Sequence, residues 1–140
     1  MSYELELAAE DRLLMGGDRM RAIVGIDPGY TTGLCLFRGK ELVDAEEATD
    51  SHSIAEFIRR SEPNVVVMEN YIVGKRPSRP KEPLKVIGAV EYICGEMGVA
   101  LVMQPPSILS RMMKRADGTH PSKHVRSACA HVLYYLEGSE

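Results

Sequence analysis

A chain of 140 residues, 44% hydrophobic and 26% charged, has the make-up of one compact domain with a real hydrophobic core. No stretch approaches the ~20 consecutive apolar residues of a membrane helix, and Glu4, Glu6, Glu10 and Asp11 make the N-terminus too acidic for a secretory signal. Cys35, Cys94 and Cys129 are odd in number, far apart and outside C-x-x-C spacing, so reduced core thiols in a cytoplasmic protein are expected. The net charge of −3 argues mildly against nucleic acid as a partner, but its distribution is uneven. Lys75, Arg76, Arg79, Lys81 and Lys85 stand against the single Glu82, while acids gather in 1–11 and 41–50.

In chain order, residues 4–15 carry an amphipathic pattern that Gly16-Gly17 breaks, and Met20 precedes the first strand-like run. We therefore expect an extension over 1–19 and one domain over 20–140. Ala22-Ile23-Val24-Gly25-Ile26 is uniformly apolar and β-branched, the mark of a buried central strand. The Asp-Pro-Gly-Tyr-Thr-Thr-Gly turn (27–33) leads to a second strand, Leu34 to Phe37. Arg38-Gly39-Lys40 signals a hairpin, with a third strand over about 41–46. Ser53 is expected to cap a helix over 54–60 with Ile54, Phe57 and Ile58 inward, ended by Pro63.

Val65-Val66-Val67-Met68 reads as a fourth, buried strand with Glu69 at its end. Pro77, Pro80 and Pro83 keep the basic segment 74–83 out of regular structure. A helix with the stripe Val86, Val90, Ile93, Cys94 and Met97 stops at Gly98, and Val99 to Met103 form a fifth strand. Pro105-Pro106-Ser107 introduces a short helix to about Lys114. A last helix begins at Pro121-Ser122 and runs to about Leu136. This order predicts a mixed α/β fold, three antiparallel strands first and parallel additions after, flanked by helices.

Asp27 is the strongest chemical signal. It emerges from a buried strand and is held by Pro28 and Gly29, with Gly29 and Gly33 allowing a tight turn and close approach to a ligand. Its other reading is a turn-stabilising aspartate. Glu69 ends a second buried strand, where a half-buried acid is costly unless paired or bound to metal; its other reading is a solvated strand terminus. Two such acids at neighbouring strand ends suit Mg²⁺, which prefers carboxylate oxygens and keeps waters for phosphate to replace. On the last helix Val125, Cys129, Val132 and Leu136 make the apolar stripe, and His124, Ser127 and His131 share the adjoining polar side. Spacing alone makes none of the three a ligand.

Ile-Val-Gly-Ile-Asp-Pro-Gly-Tyr-Thr-Thr-Gly-Leu (23–34) resembles the first catalytic motif of the RuvC-like Holliday junction resolvases, of the RNase H-like superfamily. Val-Val-Val-Met-Glu-Asn-Tyr (65–71) is similar to the second. Ile87-Gly88-Ala89 and Gln104-Pro105-Pro106-Ser107 resemble segments of the small phage and bacterial members. The resemblance covers nearly everything from Met20 onward. It implies a five-stranded RNase H-like sheet and a Mg²⁺- or Mn²⁺-dependent endonuclease, with two ions at each site, acting on four-way junctions or other branched DNA in recombination and repair. For a phage-encoded protein the compartment is the bacterial host cytoplasm.

The catalytic set the resemblance implies is Asp27, Glu69, His124 and Ser127, with Asp27, Glu69 and His124 as metal ligands. Serine at 127 departs from the family's aspartate, and Asp117 is an alternative donor. The basic segment (Lys75, Arg76, Arg79, Lys81, Lys85) would contact phosphates. Tyr71 would either stack on an unpaired base or serve as an ordinary strand-end aromatic. A two-fold junction implies a homodimer, with the helix at 84–97 as its interface. Three rivals remain: an actin-like ATPase loop, for which one domain is too little; a YqgF-like RNA-processing nuclease, which expects Asp-Glu-Arg rather than Met-Glu-Asn; and a catalytically weak or inactive nucleic-acid-binding protein on the same scaffold.

Overall fold

The structure, a computed structural model, describes residues 21–70 and 82–139. The readings on residues 1–19, Met20, Tyr71, Lys75, Arg76, Arg79 and Lys81 lie outside them. Among the described residues no helix is long and apolar enough to cross a membrane.

The chain forms β1 (Ala22–Asp27), β2 (Thr32–Arg38), β3 (Glu41–Ala48), α1 (Ser51–Ser61), β4 (Val65–Glu69), α2 (Glu82–Met97), β5 (Ala100–Gln104), a 3-10 turn (Pro106–Ile108), α3 (Leu109–Ala116) and α4 (Lys123–Ser139). The strands lie in the order β3-β2-β1-β4-β5. β1, β2 and β3 pair antiparallel, β2 and β3 through a two-residue hairpin at Gly39-Lys40, while β4 adds parallel to β1 and β5 parallel to β4. This is the expected mixed sheet. Gly39 takes a left-handed φ of 61°, which a hairpin this short demands.

Alternation along the strands divides the core between the two faces of the sheet. Val24, Ile26, Leu34, Leu36, Val66 and Met68 pack under α1 and α2 with Ile54, Phe57, Ile58, Val86, Val90 and Ile93. Ile23, Cys35, Phe37, Val65 and Val67 pack under α3 and α4 with Met112, Val125, Ala128, Cys129 and Val132. The expected inward stripes hold, with Met97 and Leu136 only partly buried. All three cysteines are free and buried.

Three local expectations are corrected. α1 is capped by Asp50, whose Oδ1 accepts from Ser53 N–H at 2.7 Å; Ser53 sits inside the first turn and donates to the same carboxylate. Pro63 does not end α1, because Glu62 has already turned left-handed at φ 46°. Gly33 faces no ligand: a Cβ there would stand 2.0 Å from the His124 carbonyl oxygen.

That last contact, with its counterpart at Gly25, sets the height of α4. A Cβ on Gly25 would meet Val132 Cγ2 at 2.5 Å and the Ala128 carbonyl oxygen at 2.6 Å. Helix backbone therefore lies directly on strand backbone at two points. The N-terminal end of α4 is tied down by Ser122, whose Oγ accepts from Val125 N–H at 3.2 Å and also bonds Glu47 on β3. Arg126 holds the preceding turn through the carbonyls of His120 and Pro121, at 2.9 and 2.7 Å.

Adding a methyl group at Gly33 forces α4 off the sheet, because the clash is with backbone rather than a yielding side chain. Gly33→Ala is expected to destabilise the fold by roughly 3 kcal/mol, the upper range for overpacking. Urea unfolding of the variant beside wild type checks this, and a loss under about 1 kcal/mol contradicts the close contact.

Candidate active site under the last helix

Three neighbouring strands end at one level, and each ends on a polar residue. Asp27 follows Ile23 and Gly25 onto the α4 face, and Glu69 follows Val65 and Val67 onto the same face. The β1–β4 register pairs Ile26 with Met68, so the next step sets Asp27 beside Glu69. Gln104 is paired directly with Glu69 across β4 and β5. Asp27, Glu69 and Gln104 thus form a row across the sheet, beneath the side chains of α4.

The approach to Asp27 is shaped by a loop anchored on Thr32. This buried threonine donates from Oγ1 to the Gly29 carbonyl at 3.1 Å and receives the Gly29 N–H at 3.4 Å. Pro28 is buried, whereas Tyr30 projects outward, 67% exposed.

Burial pushes the Asp27 carboxyl up from 3.8 to about 6, and the neighbouring negative charge of Glu69 adds to the rise. The Ser127 hydroxyl, His131 and His124 act in the opposite direction, so all four side chains lie within electrostatic reach of Asp27. Ser127 is 5% exposed, and its Oγ has no well-formed hydrogen bond among the described residues. An orphaned buried hydroxyl is uncommon and asks for a partner. His124, one turn earlier, is exposed at the rim.

His131 is the residue that the sequence reading left out of the site. It is fully buried, with Nε2 3.1 Å from Glu69 Oε1 and Nδ1 2.7 Å from Gln104 Oε1. Its signal was the four-residue step from Ser127, which keeps both on one helix face. Gln104, also missed, had the same signal as Glu69: a polar residue ending an apolar strand.

Of the expected DNA contacts only Lys85 is described. It is exposed in the first turn of α2 and ion-paired with Glu82 at 3.3 Å. Asp117, the alternative donor, is exposed at the end of α3, and none of the side chains acting on Asp27 is Asp117. A cleft of about 560 Å³ between β5 and α4, lined by Val102, Arg111, Tyr134 and Glu137 among others, meets the site only through Gln104.

The donor set fits a divalent cation in one respect and limits it in another. Asp27, desolvated and pushed further up by the charge of Glu69, lies beside the buried Ser127 hydroxyl, and a positive ion would relieve it. Among the described residues, however, no three His, Cys, Asp or Glu side chains are grouped to hold a metal by themselves. Water or a phosphate oxygen would have to complete the shell, as Mg²⁺ commonly allows.

The fold is that of the RuvC-like class of RNase H-type domains. Among solved structures, the chain is similar to Thermus thermophilus RuvC in complex with Holliday junction substrate, at TM-score 0.71 and 16% identity, over 85% of this chain and 95% of that one. Thermus thermophilus RuvC solved separately gives 0.67 and 17%, over 84% and 95%. Fowlpox virus resolvase, in a complex with substrate Holliday junction DNA, gives 0.60 and 15%, over 84% and 98%. No protein-family model and no curated protein matches the sequence. At these identities the likeness establishes the architecture.

The raised Asp27 carboxyl has a consequence for stability. Below pH 3.8 the folded and unfolded chains both hold this proton, and Asp27 contributes no difference. As pH rises, the unfolded chain ionises first, so stability falls until the folded carboxyl has also ionised, above about 6. With chelator present, Asp27→Asn is expected to be more stable than wild type at pH 7.5 by roughly 1–3 kcal/mol. That advantage should shrink as pH falls through 6 toward 4. Denaturant titrations across this range check it, and a constant gap contradicts the burial of charge.

Proposed function

We propose that the chain is a structure-selective endodeoxyribonuclease that nicks four-way junctions or other branched DNA with the help of Mg²⁺ or Mn²⁺. The observation that carries this reading is the pairing of Asp27 and Glu69 at adjacent strand ends beneath α4, in a fold shared with two proteins solved on junction DNA. Asp27 and Glu69 would hold the ion, with Ser127 as a weak neutral donor and His124 at the rim. The second of two ions would depend on phosphate oxygens brought by the DNA.

A divalent cation bound there draws charge from the phosphodiester and makes water a stronger nucleophile. The protein's own part is to place and to shield. Asp27, rigid between β1 and the Thr32-anchored loop, fixes one carboxylate, and α4 keeps bulk water from the floor of the site. Hydrolysis breaks the bond between phosphorus and the 3′ oxygen, which leaves as a hydroxyl while water supplies the new oxygen on phosphorus. Lys85 and the basic residues of 74–83 would bind phosphates without reading sequence.

A four-way junction presents two equivalent strands, so the proposal includes a two-fold dimer. Leu84, Gly88, Tyr92 and Gly95 follow one another at helical spacing along α2 and are exposed, Leu84 at 42% and Tyr92 at 65%. Nothing lies within 4 Å of a Cβ built on either glycine, leaving room for a second helix at close range. We expect Leu84→Glu with Tyr92→Glu to convert a dimer into a monomer in sedimentation equilibrium; an unchanged mass places the contact elsewhere.

The second reading is a junction binder of little or no activity, favoured by serine rather than an acid at 127. Labelled four-way junction, flap and duplex, each with Mg²⁺ or Mn²⁺, separate the two. Nicking of branched DNA by wild type, reduced at least about 1,000-fold in Asp27→Asn, is the expected result; that factor corresponds to about 4 kcal/mol of barrier. Tight junction binding without cleavage in either metal leaves the binder. Ser127→Asp is expected to raise the rate in Mg²⁺ by supplying the carboxylate the site lacks.

A further inference from the structure

Glu69 stands on a strand end with a carboxylate that in isolation would rotate freely, yet here one oxygen is held and the other is not. His131 Nε2 engages Oε1 at 3.1 Å, and among the described residues Oε2 has no hydrogen-bond partner. The histidine ring is itself fixed, because Nδ1 bonds Gln104 Oε1 at 2.7 Å and both nitrogens are occupied. Gln104 is fixed in turn by its register opposite Glu69 and by its carbonyl, which accepts the Asn70 N–H at 2.6 Å. The chain Gln104–His131–Glu69 closes through the β4–β5 pairing into a ring of contacts that binds α4 to two strands.

This network is an expensive way to fill space. His131 is completely buried and Gln104 is 5% exposed, so both have given up water. A matched apolar pair would pack there at little or no cost, since replacing both partners of a buried hydrogen bond is often neutral. What the polar ring adds is orientation: it freezes a carboxylate rotamer when the protein folds rather than when a ligand arrives.

We propose that His131 is a positioning residue, locked by Gln104, that clamps Glu69 Oε1 and leaves Oε2 as the oxygen free to take a divalent cation beside Asp27. The assignment rests on the hydrolytic reading above, and it concerns how the site is held rather than which DNA it cuts.

The test uses the purified full-length chain and Mn²⁺ itself, with free Mn²⁺ read by electron paramagnetic resonance. His131→Phe is expected to weaken Mn²⁺ binding about 10- to 100-fold, the usual cost of removing a partner that orients a metal-binding carboxylate. His131→Gln, which still reaches Glu69 with an amide, should recover part of the loss. Gln104→Leu keeps the ring but frees it, and should give a smaller loss of the same sign. On labelled four-way junction, kcat should fall in step with these affinities while KM for DNA stays constant.

Wild-type Mn²⁺ affinity in folded His131→Phe overturns the clamp; if that variant does not fold, unchanged affinity in both His131→Gln and Gln104→Leu does so. A wild type that binds Mn²⁺ through Glu69, loses it in the variants and yet cuts no DNA removes the nuclease reading and leaves the clamp standing. Cleaving wild type with variants of equal affinity and kcat removes the clamp alone. A wild type that takes up no Mn²⁺ overturns the clamp, and one that also cuts no junction DNA overturns both.

Discussion

Direct backbone contact between α4 and the paired strands β1 and β2 sets the dimensions of everything above the sheet. At Gly25 and Gly33 no side chain separates helix from strand, and even one carbon would lie within 2.5 Å of α4 atoms. Missing Cβ atoms at these two positions let α4 settle directly on the strand backbone. Because α4 is low, Ser127 comes within reach of Asp27 and His131 within hydrogen-bonding distance of Glu69. A higher helix would leave the Asp27 carboxyl more open to solvent, and the burial that raises its pKa would be lost.

The same descent creates the electrostatic tension of the site. Burying the Asp27 carboxylate near Glu69 disfavours its charge, and the protein offsets this only in part, with a hydroxyl and two imidazoles. Nothing among the described residues neutralises Asp27 with a lysine or arginine. Stability is given up at a place where a positive ligand would restore it, which is how binding sites commonly differ from the rest of a core.

The mixed sheet, the stretches that form its strands and helices, and the two acids at strand ends were legible because each rests on a local pattern. Val65 to Met68 announce a buried strand by composition, and Glu69 stands out as the first residue to break it. Ile54, Phe57 and Ile58 mark their helix face by spacing. Other features depend on pairings that no local pattern encodes. Gln104 matters because β5 aligns it with Glu69, a register that appears only once the sheet exists. His131 shared a helix face with Ser127, but whether that face met solvent or carboxylate followed from the height of α4. Gly33 was read as leaving room for a ligand; the room is taken by the helix itself. Asp50 and Ser53 both suit a helix start, and the choice fell to the residue whose carboxylate could take the amide and the hydroxyl together.

The site draws on β1, β4, β5 and α4, so its members are separated by up to about a hundred positions along the chain. Such an arrangement belongs to no single segment: the strands alone carry both acids, and the helix alone carries the groups that seat and shield them. Native proteins open piecewise, with peripheral helices able to leave before a central sheet does. Each excursion of α4 would dismantle the site while leaving the sheet intact, making the chemistry a property of the finished domain. A fragment or a half-open molecule would carry two loose acids and no ordered centre, a built-in safeguard for a protein whose proposed substrate is branched DNA.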